Sequence, residues 1–354
     1  MVVDEEELLA SRAAGLHHET DAGPGIHRIA RGDSFDYVGA DGKAVRDEET
    51  LARIRKLAIP PAWVDVWICA SERGHLQATG RDARGRKQYR YHAKWRKQRD
   101  EAKYGRLIEF AEGLPALRKK VLTDMSLPGL PQEKVVATVV RLLDKTLIRV
   151  GNDEYARDND SYGLTTMRSK HVEVKGATLT FEFKGKSGKV HSIDVSDARA
   201  TRIVKQCREL PGYELFQYVD EEGEKRTVGS EDVNNYVRDA MGQDFTAKDF
   251  RTWAGTVFCA TALAMVGGFE AEREAKANIN ESMRAVAALL GNTPAVSRAC
   301  YVHPQLLEGY LDGSFQQHWI VKPSRARSEY KLRPEEAATL SFLKRRARGA
   351  RKAA

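Results

Sequence analysis

Two kinds of hydrophobic spacing divide this chain. Before residue 91, short apolar runs are separated by turn residues, a pattern that predicts strands at residues 26–31, 35–38, 64–70 and 75–80. One short helix is expected at residues 47–56, ahead of the Pro60-Pro61 break. Helical spacing then takes over at residues 95–111, 115–124 and 132–147. A small β-rich domain (residues 1–98) therefore precedes a larger, mainly helical domain (residues 99–354).

The larger domain is expected to contain a small antiparallel sheet at residues 162–195. There Leu179, Phe181 and Phe183 alternate with polar residues, and residues 184–189 have the composition of a hairpin tip. Helices are predicted at residues 196–209 and 230–241, each opening on a serine suited to the N-cap. A long apolar helix should begin after Thr246, which forms a capping box with Asp249. The fold class is therefore α+β.

The segment from residue 290 to residue 304 contains residues that end one helix and start another shortly before a tyrosine. Gly291 suits the left-handed residue that ends a helix, and Thr293 followed by Pro294 suits the start of another. We expect that second helix to carry Tyr301. A tyrosine hydroxyl is a competent nucleophile once its proton is removed and its target is held. With 12 tyrosines in the chain, however, a packing role is the commoner one.

Composition and charge narrow the function classes. The 354 residues carry a net charge of +8 with a pI near 9.2, which favours a polyanionic partner. No apolar run approaches 18 residues, and the N-terminus lacks the basic and apolar regions of a signal peptide. The four cysteines are scattered without metal-site spacing, as expected of reduced thiols in the cytoplasm. We therefore expect a cytoplasmic protein that uses no metal or other cofactor.

A basic segment at residues 81–99 crosses the expected domain boundary. It contains one acid, Asp82, and three aromatic side chains, Tyr89, Tyr91 and Trp95. Its cations are Arg81, Arg84, Arg86, Lys87, Arg90, Lys94, Arg96, Lys97 and Arg99. Forked guanidinium groups among flat rings, with few compensating carboxylates, favour contact with nucleic-acid phosphates over a merely solvated surface.

Three further cations allow two interpretations each. Arg149 stands at a predicted helix end, where it would interact with the helix dipole whether or not it has a function. Lys186 lies at a hairpin tip, where lysines are usually solvated. Arg251 falls in the first turn of the helix that follows Thr246, where a cation is disfavoured unless an anion joins it. This local conflict indicates a functional site.

The order Arg149, Lys186, Lys248-x-x-Arg251, Asn292, Tyr301 resembles that of the short type IB DNA topoisomerases of the poxviral and bacterial kind. The resemblance extends over roughly residues 25–311. Its other motifs are Ile59-Pro60-Pro61-Ala62-Trp63, the run from Gly80 through Arg86-Lys87-Gln88-Tyr89-Arg90 to Tyr91, Arg149-Val150-Gly151, Gly163-Leu164-Thr165-Thr166 and Ser297-x-x-x-Tyr301.

The resemblance implies a monomeric, two-lobed clamp on double-stranded DNA and a reaction that needs neither ATP nor a metal. Tyr301 would attack a phosphodiester to give a 3′-phosphotyrosyl link, and resealing after rotation would relax supercoils of either sign. Arg149 and Arg251 match the residues that hold the non-bridging oxygens, and Lys186 matches the general acid. Lys248 matches a residue near the scissile phosphate, Gln88 and Tyr89 match DNA contacts, and Tyr155 matches a supporting residue.

One residue departs from the family pattern. Asn292 stands where the family commonly has histidine, so a hydrogen bond to phosphate can persist without charge assistance. Two other functions compete with the topoisomerase assignment. A tyrosine recombinase shares the Arg-Lys-Arg-Tyr chemistry, but the β-rich N-terminal domain argues against it. A non-catalytic DNA-binding clamp would not need this set of residues.

Overall fold

The structure is a computed structural model that describes residues 5–32, 34–323 and 328–353. Within these ranges the side chains of residues 5–7, 100–102, 154, 155, 158, 187 and 350–353 are not described. The chain divides into two compact units, Met1–Gly105 and Arg106–Ala354. The long helix Ala93–Asp124 runs through the division. No helix of the described residues is long and apolar enough to cross a membrane.

The first unit is built on one antiparallel sheet with strand order β2-β1-β3-β4-β5. Its elements are α1 (Glu5–Ala13), β1 (Ile26–Arg31), β2 (Ser34–Val38), α2 (Glu48–Lys56), β3 (Val64–Ile68), β4 (Leu76–Arg81) and β5 (Lys87–Tyr91). Helix α2 packs Ile54 against Ile26, Val66, Ile68 and Ala78. Asp47 caps this helix by accepting a hydrogen bond from the Thr50 amide at 2.8 Å. The four predicted strands and the predicted helix are confirmed to within a few residues.

Strand β5 was not predicted. Its sequence, Lys-Gln-Tyr-Arg-Tyr, has no aliphatic side chain, so it lacks the alternation that identified the other strands. It pairs with β4 at the edge of the sheet, with Tyr89 opposite Thr79 and Lys87 opposite Arg81. Sheet pairing therefore overrides the weak local signal.

The second unit is mostly helical and contains a three-stranded antiparallel sheet of order β6-β7-β8 and a two-stranded one. Its helices are α3 (Ala93–Asp124), α4 (Gln132–Thr146), α5 (Asp153–Asn159), α6 (Ala198–Glu209), α7 (Ser230–Met241), α8 (Ala247–Val266), α9 (Glu272–Leu290), α10 (Pro294–Cys300), α11 (Pro304–Leu311), α12 (Ser314–His318) and α13 (Pro334–Ala353). Its strands are β6 (Val172–Lys175), β7 (Thr178–Lys184), β8 (Val190–Ser196), β9 (Gln217–Val219) and β10 (Lys225–Thr227). The predicted sheet and hairpin tip are confirmed.

Several local expectations were wrong in detail. The two helices predicted before and after residue 115 form the single helix α3, with Pro115 inside it. Burial of Leu114 and Leu117 on either side of the proline explains why the helix continues. Helix α6 is capped by Asp197, whose carboxylate accepts from the Ala200 amide at 3.0 Å, and not by a serine. Gly229, and not Ser230, is the N-cap of α7.

The C-terminal stretch, which contains the basic run Lys344-Arg345-Arg346-Ala347-Arg348, forms helix α13 and packs on the unit. Phe342 and Leu343 are buried, and so is the Glu336 carboxylate near the helix N-terminus. Arg118 of α3 donates hydrogen bonds to Glu336 at 2.8 Å and to Asp144 of α4 at 2.8 Å. Because all three charged groups are nearly excluded from water, removing one partner would leave a buried charge. These ion pairs therefore tie α13 to α3 and α4.

Candidate active site

The segment that carries Tyr301 begins where α9 ends. Gly291 has φ +65°, the left-handed conformation predicted for it, and Thr293 accepts a hydrogen bond from the Val296 amide at 3.3 Å. Helix α10 starts at Pro294, as expected, but it ends at Cys300. Tyr301 is therefore the residue that caps the helix, with φ −131° and ψ −1°, and the prediction that the helix itself carries the tyrosine was off by one residue.

The backbone of Tyr301 lies directly on helix α8. A Cβ placed on Gly255 would lie 2.6 Å from the Tyr301 carbonyl oxygen and 3.2 Å from the Tyr301 Cβ. The neighbouring Thr256 hydroxyl accepts a hydrogen bond from the His303 amide at 3.1 Å. Only a glycine allows two backbones to approach so closely. The position of Tyr301 is therefore set by α8, the helix that also carries Arg251.

The Arg251 guanidinium is buried between two helix ends. Its side chain is 5% exposed, and it donates hydrogen bonds to the carbonyls of Leu147 and, at 2.6 Å, Leu290. These carbonyls belong to the residues that end α4 and α9, where helix dipoles are negative. Two helix ends thus offset the cost of burying this charge, and they fix its position.

The electrostatic surroundings of Arg251 favour the binding of an anion. Burial, together with the positive charge of Arg149, lowers the pKa of Arg251 to about 10. The group is still charged at neutral pH, and an anion between the two arginines would raise its pKa again. The guanidinium carbon lies 5.4 Å from the centre of the Tyr301 ring. The buried cation and the phenol therefore face the same space.

Arg149 is positioned by contacts between two loops. The Arg149 carbonyl accepts from the Leu164 amide at 2.9 Å, and the Val150 carbonyl accepts from the Thr165 amide at 2.7 Å. Gly151 has φ +118°, and a Cβ there would lie 2.6 Å from the Thr165 hydroxyl. These contacts explain why the motif at residues 149–151 occurs together with the motif at 163–166. Arg149 lies beyond the end of α4, so its position is set by these loops and not by the helix.

Asn292 joins the arginines through its side chain. Its Oδ1 atom accepts a hydrogen bond from Arg149 Nη2 at 2.7 Å, while its backbone amide bonds to the Ala287 carbonyl at 2.9 Å. The Nδ2 atom is buried, and no described residue accepts a hydrogen bond from it. A buried donor without an acceptor is costly, so this N–H group is suited to an incoming oxygen.

One cleft of about 340 Å³ brings most of these side chains together. Its described lining includes four cations and no carboxylate: Arg149, Lys186, Lys248 and Arg251, with Tyr301 beside them. Lys186 projects from a short 3₁₀ turn at the tip of the β7–β8 hairpin, and Lys248 lies in the first turn of α8. The lining also includes Asn152, Ser161 and Tyr162, which the sequence had not singled out. The sequence signal that could have identified Tyr162 is its position directly before the 163–166 motif. The Tyr155 side chain lies outside the described part of the chain.

The basic segment of the first unit is more internally paired than its sequence suggested. Lys87 forms an ion pair with Asp21 at 2.6 Å and Arg86 with Asp82 at 2.7 Å, whereas Arg81 lies 3.8 Å from Asp65. Asp21 and Asp65 come from outside the basic segment, so the expected scarcity of carboxylates was wrong.

Its remaining predicted DNA contacts lie on strand β5 and in the β4–β5 turn, except Arg99, which lies in α3. Gln88 donates to Asp82 at 3.0 Å, and Arg90 donates to the Ala58 carbonyl while its guanidinium stacks over the Trp63 ring. Tyr89 and Tyr91 stack on each other at 5.9 Å, Arg84 is exposed in the β4–β5 turn, and Arg99 stacks over Trp95.

Known proteins match this chain over most of its length. The family model described as "Eukaryotic DNA topoisomerase I, catalytic core" matches residues 92–322, and that of "Bacterial DNA topoisomerase IB, N-terminal domain" matches residues 34–82. DNA topoisomerase 1B of Acanthamoeba polyphaga mimivirus is 34% identical over 293 residues, which cover 81% of this chain and 87% of that protein. DNA topoisomerase 1B of vaccinia virus (strain Copenhagen) is 22% identical over 67% of this chain and 73% of its own length.

These matches include the whole cleft, because residues 149–301 lie inside the catalytic-core match. The bacterial N-terminal model covers strands β2 to β4 of the first unit. On both grounds the chain belongs to the type IB DNA topoisomerases and is an enzyme of that class.

Proposed function

We propose that this topoisomerase relaxes DNA by transient cleavage of one strand through Tyr301. The phenol oxygen attacks phosphorus in line with the 5′-oxygen, the phenol proton passes to solvent, and the P–O5′ bond breaks. The product is a 3′-phosphotyrosyl link and a free 5′-hydroxyl. After the strand rotates, the 5′-hydroxyl attacks the same phosphorus and releases the tyrosine. Because one phosphodiester is exchanged for another, no ATP is needed.

Three side chains are suited to stabilise the pentavalent transition state. Negative charge develops on the non-bridging oxygens, and the guanidinium groups of Arg149 and Arg251, together with the Asn292 amide, can donate to them from fixed positions. Lys248 adds a cation at the cleft wall. We propose that these side chains supply the charge that metal ions supply in other phosphoryl-transfer sites, so that no metal is required.

The observation that carries this proposal is the single cleft that contains four cations beside Tyr301. Its test is relaxation of negatively and of positively supercoiled plasmid in EDTA without ATP. Both substrates should be relaxed. Relaxation that requires ATP or magnesium would contradict the proposal.

We further propose that the protein acts as a monomer on double-stranded DNA in the cytoplasm.

Lys186 is proposed to protonate the leaving 5′-oxygen. An alkoxide is a poor leaving group, so Lys186→Ala should slow cleavage of ordinary DNA by about 10²–10⁴-fold. A thiolate leaves without protonation, so a substrate with sulfur at the 5′-bridging position should be cleaved at a nearly wild-type rate. Single-turnover cleavage of both substrates measures the effect. An equal defect on both would show that Lys186 is not the general acid.

Asn292 is proposed to donate a neutral hydrogen bond to a non-bridging oxygen. Asn292→Ala should retain DNA binding but slow single-turnover cleavage, by up to about 10²–10³-fold in a dry site. Asn292→His restores the residue common in the family and should be tolerated. A wild-type cleavage rate for Asn292→Ala would show that the residue only shapes the turn after Gly291.

The first unit is proposed to bind the DNA backbone through the turn and edge of β4–β5. The proposed contacts are Arg81, Arg84, Arg86, Lys87, Gln88, Tyr89, Arg90, Tyr91 and Arg99, with Lys248 and Tyr155 contributed by the second unit. Basic side chains that contact phosphate release counterions when DNA binds. The DNA affinity should therefore fall as salt increases.

Arg84 offers a direct test of this surface, because it is exposed in the β4–β5 turn. Arg84→Ala should reduce the slope of log affinity against log salt by about one. Lys43→Ala removes an exposed cation elsewhere in the same unit and should leave the slope unchanged. Equal slopes for wild type and Arg84→Ala would exclude the phosphate contact.

A further inference from the structure

The His191 ring lies between two loops of the candidate active site, and the proposed reaction gives it no role. His191 is on β8, opposite Phe183 of β7, and the two rings stack with centroids 5.2 Å apart. A Cβ placed on Gly185 would lie 2.7 Å from His191 Cδ2, and a Cβ placed on Gly291 would lie 2.7 Å from His191 Cε1. The imidazole therefore fills the space between the two glycines.

Each of these glycines precedes a residue of the site. Gly185 comes directly before Lys186, and Gly291 directly before Asn292. A larger residue at either position would collide with the ring. The ring therefore sets the spacing between the backbone that presents Lys186 and the backbone that presents Asn292.

The two backbone segments that flank the His191 ring differ in how firmly other contacts hold them. The Gly291 turn is fixed by the Asn292 amide bond to Ala287, by the Thr293 cap and by the bond from Arg149 to Asn292. The described hydrogen bonds of the hairpin tip (residues 185–189) also number three, but two of them lie within the tip itself. They are the Gly185–Lys189 and Gly188–Gly185 backbone bonds and a bond from the Ser161 hydroxyl to the Gly185 carbonyl at 3.1 Å. Loss of the ring should therefore loosen the hairpin tip and leave the Gly291 turn in place.

The surroundings of His191 favour a steric role over a charged one. Burial, with the nearby charges of Lys189, Arg149 and Arg251, lowers the pKa of His191, so the ring is neutral at neutral pH. It also borders a cavity of about 20 Å³ lined by Gly185, Arg251 and Leu290, which removal of the ring would enlarge. That cavity shares Arg149, Tyr162 and Arg251 with the cleft that contains Lys186 and Tyr301, whereas His191 is not part of the cleft lining.

We propose that His191 is a positioning residue that holds the Lys186 hairpin tip against the Gly291 turn. This role rests on the proposed function of Lys186 as general acid. Misplacing a catalytic group by about 1 Å can cost about 10²-fold in rate. His191→Ala should therefore slow cleavage of ordinary DNA by about 10-fold to 100-fold.

The test is single-turnover cleavage with a 5′-bridging oxygen and with a 5′-bridging sulfur. His191→Ala and Lys186→Ala should both be slow on oxygen and nearly normal on sulfur. His191→Phe keeps a flat ring against Phe183 and should cleave the oxygen substrate within about 3-fold of wild type, since a positional effect depends on the ring and not on its nitrogens. Ser192→Ala, at the exposed neighbouring position on β8, should match wild type on both substrates. If His191→Ala folds poorly, His191→Asn, which also lacks the ring, takes its place with both substrates.

Two results would overturn the inference alone, provided that sulfur rescues Lys186→Ala. One is a normal rate or an equal defect on both substrates for the ringless His191 variant. The other is a His191→Phe protein as slow as His191→Ala, which would show that a flat ring at this position does not suffice. If sulfur fails to rescue Lys186→Ala itself, the general-acid assignment fails, and the role of His191 fails with it.

Discussion

Tyr301→Phe should bind supercoiled plasmid as wild type does, yet relax none of it and form no covalent adduct. The substitution removes one oxygen, and that oxygen is the proposed nucleophile. The ring itself should stay in place, because the backbone of Tyr301 rests on Gly255 and its ring faces Arg251. No other tyrosine of the described lining can substitute without a change of geometry, since Tyr162 is held by a bond from its hydroxyl to Asp160 at 2.8 Å.

The measurements for Tyr301→Phe are a relaxation assay, a binding titration and denaturing electrophoresis of the protein with labelled DNA. Tyr213→Phe removes the same atom from a side chain that is 80% exposed, and it should be fully active. A covalent adduct in Tyr301→Phe would refute the assignment of the nucleophile.

Arg251→Lys should lower the single-turnover cleavage rate by at least about 10²–10³-fold, although the positive charge is retained. The guanidinium donates to the Leu147 and Leu290 carbonyls from two nitrogens and still faces the tyrosine. A lysine has a single nitrogen, so it cannot reproduce this planar set of bonds. At least one buried carbonyl would lose its donor, and the charge would move away from the position proposed for the phosphate.

Arg284→Lys provides the matched control for this substitution. Arg284 is an exposed arginine of α9 that pairs with Glu281, and an exchange there should change neither rate nor stability measurably. DNA affinity of Arg251→Lys should stay close to that of wild type, because the effect is on the transition state. A cleavage rate within a few-fold of wild type would mean that charge alone, and not the geometry of the guanidinium, is what the site uses.

Local signals predicted the parts of the site that short-range contacts determine. Gly291 ends α9 and Thr293 caps α10, as predicted, because a left-handed helix stop and an N-cap are properties of a few adjacent residues. The capping box of Thr246 and Asp249 is likewise confirmed, with a bond from the Thr246 amide to the Asp249 carboxylate at 2.8 Å. Arg251 lies in the first turn of α8, as predicted, and it is buried in the cleft wall; its role in catalysis is the proposal that Arg251→Lys tests.

Long-range contacts account for what the sequence did not predict. The Arg251 partners lie 104 and 39 residues away, and nothing near residue 251 identifies the Leu147 or Leu290 carbonyl. Lys87 pairs with Asp21, far outside the basic segment, so the local charge count was misleading. Strand β5 is stabilised by β4, and α3 continues through Pro115 because its flanking leucines are buried. Arg251 and Lys87 have partners distant in sequence, β5 depends on the neighbouring strand, and α3 depends on burial; in each case tertiary contacts outweigh the local preference.

Tyr301 is proposed to become joined to the 3′ end of a cleaved DNA strand. The most direct measurement traps the adduct on a substrate whose short 5′-hydroxyl fragment diffuses away, followed by protease digestion and mass spectrometry of the DNA-linked peptide. We expect one modified residue, Tyr301, bearing a phosphate esterified to a 3′-oxygen, and a released strand with a free 5′-hydroxyl. A 5′-phosphate link, or a link to any other residue, would refute Tyr301 as the nucleophile that forms a 3′-phosphotyrosyl bond.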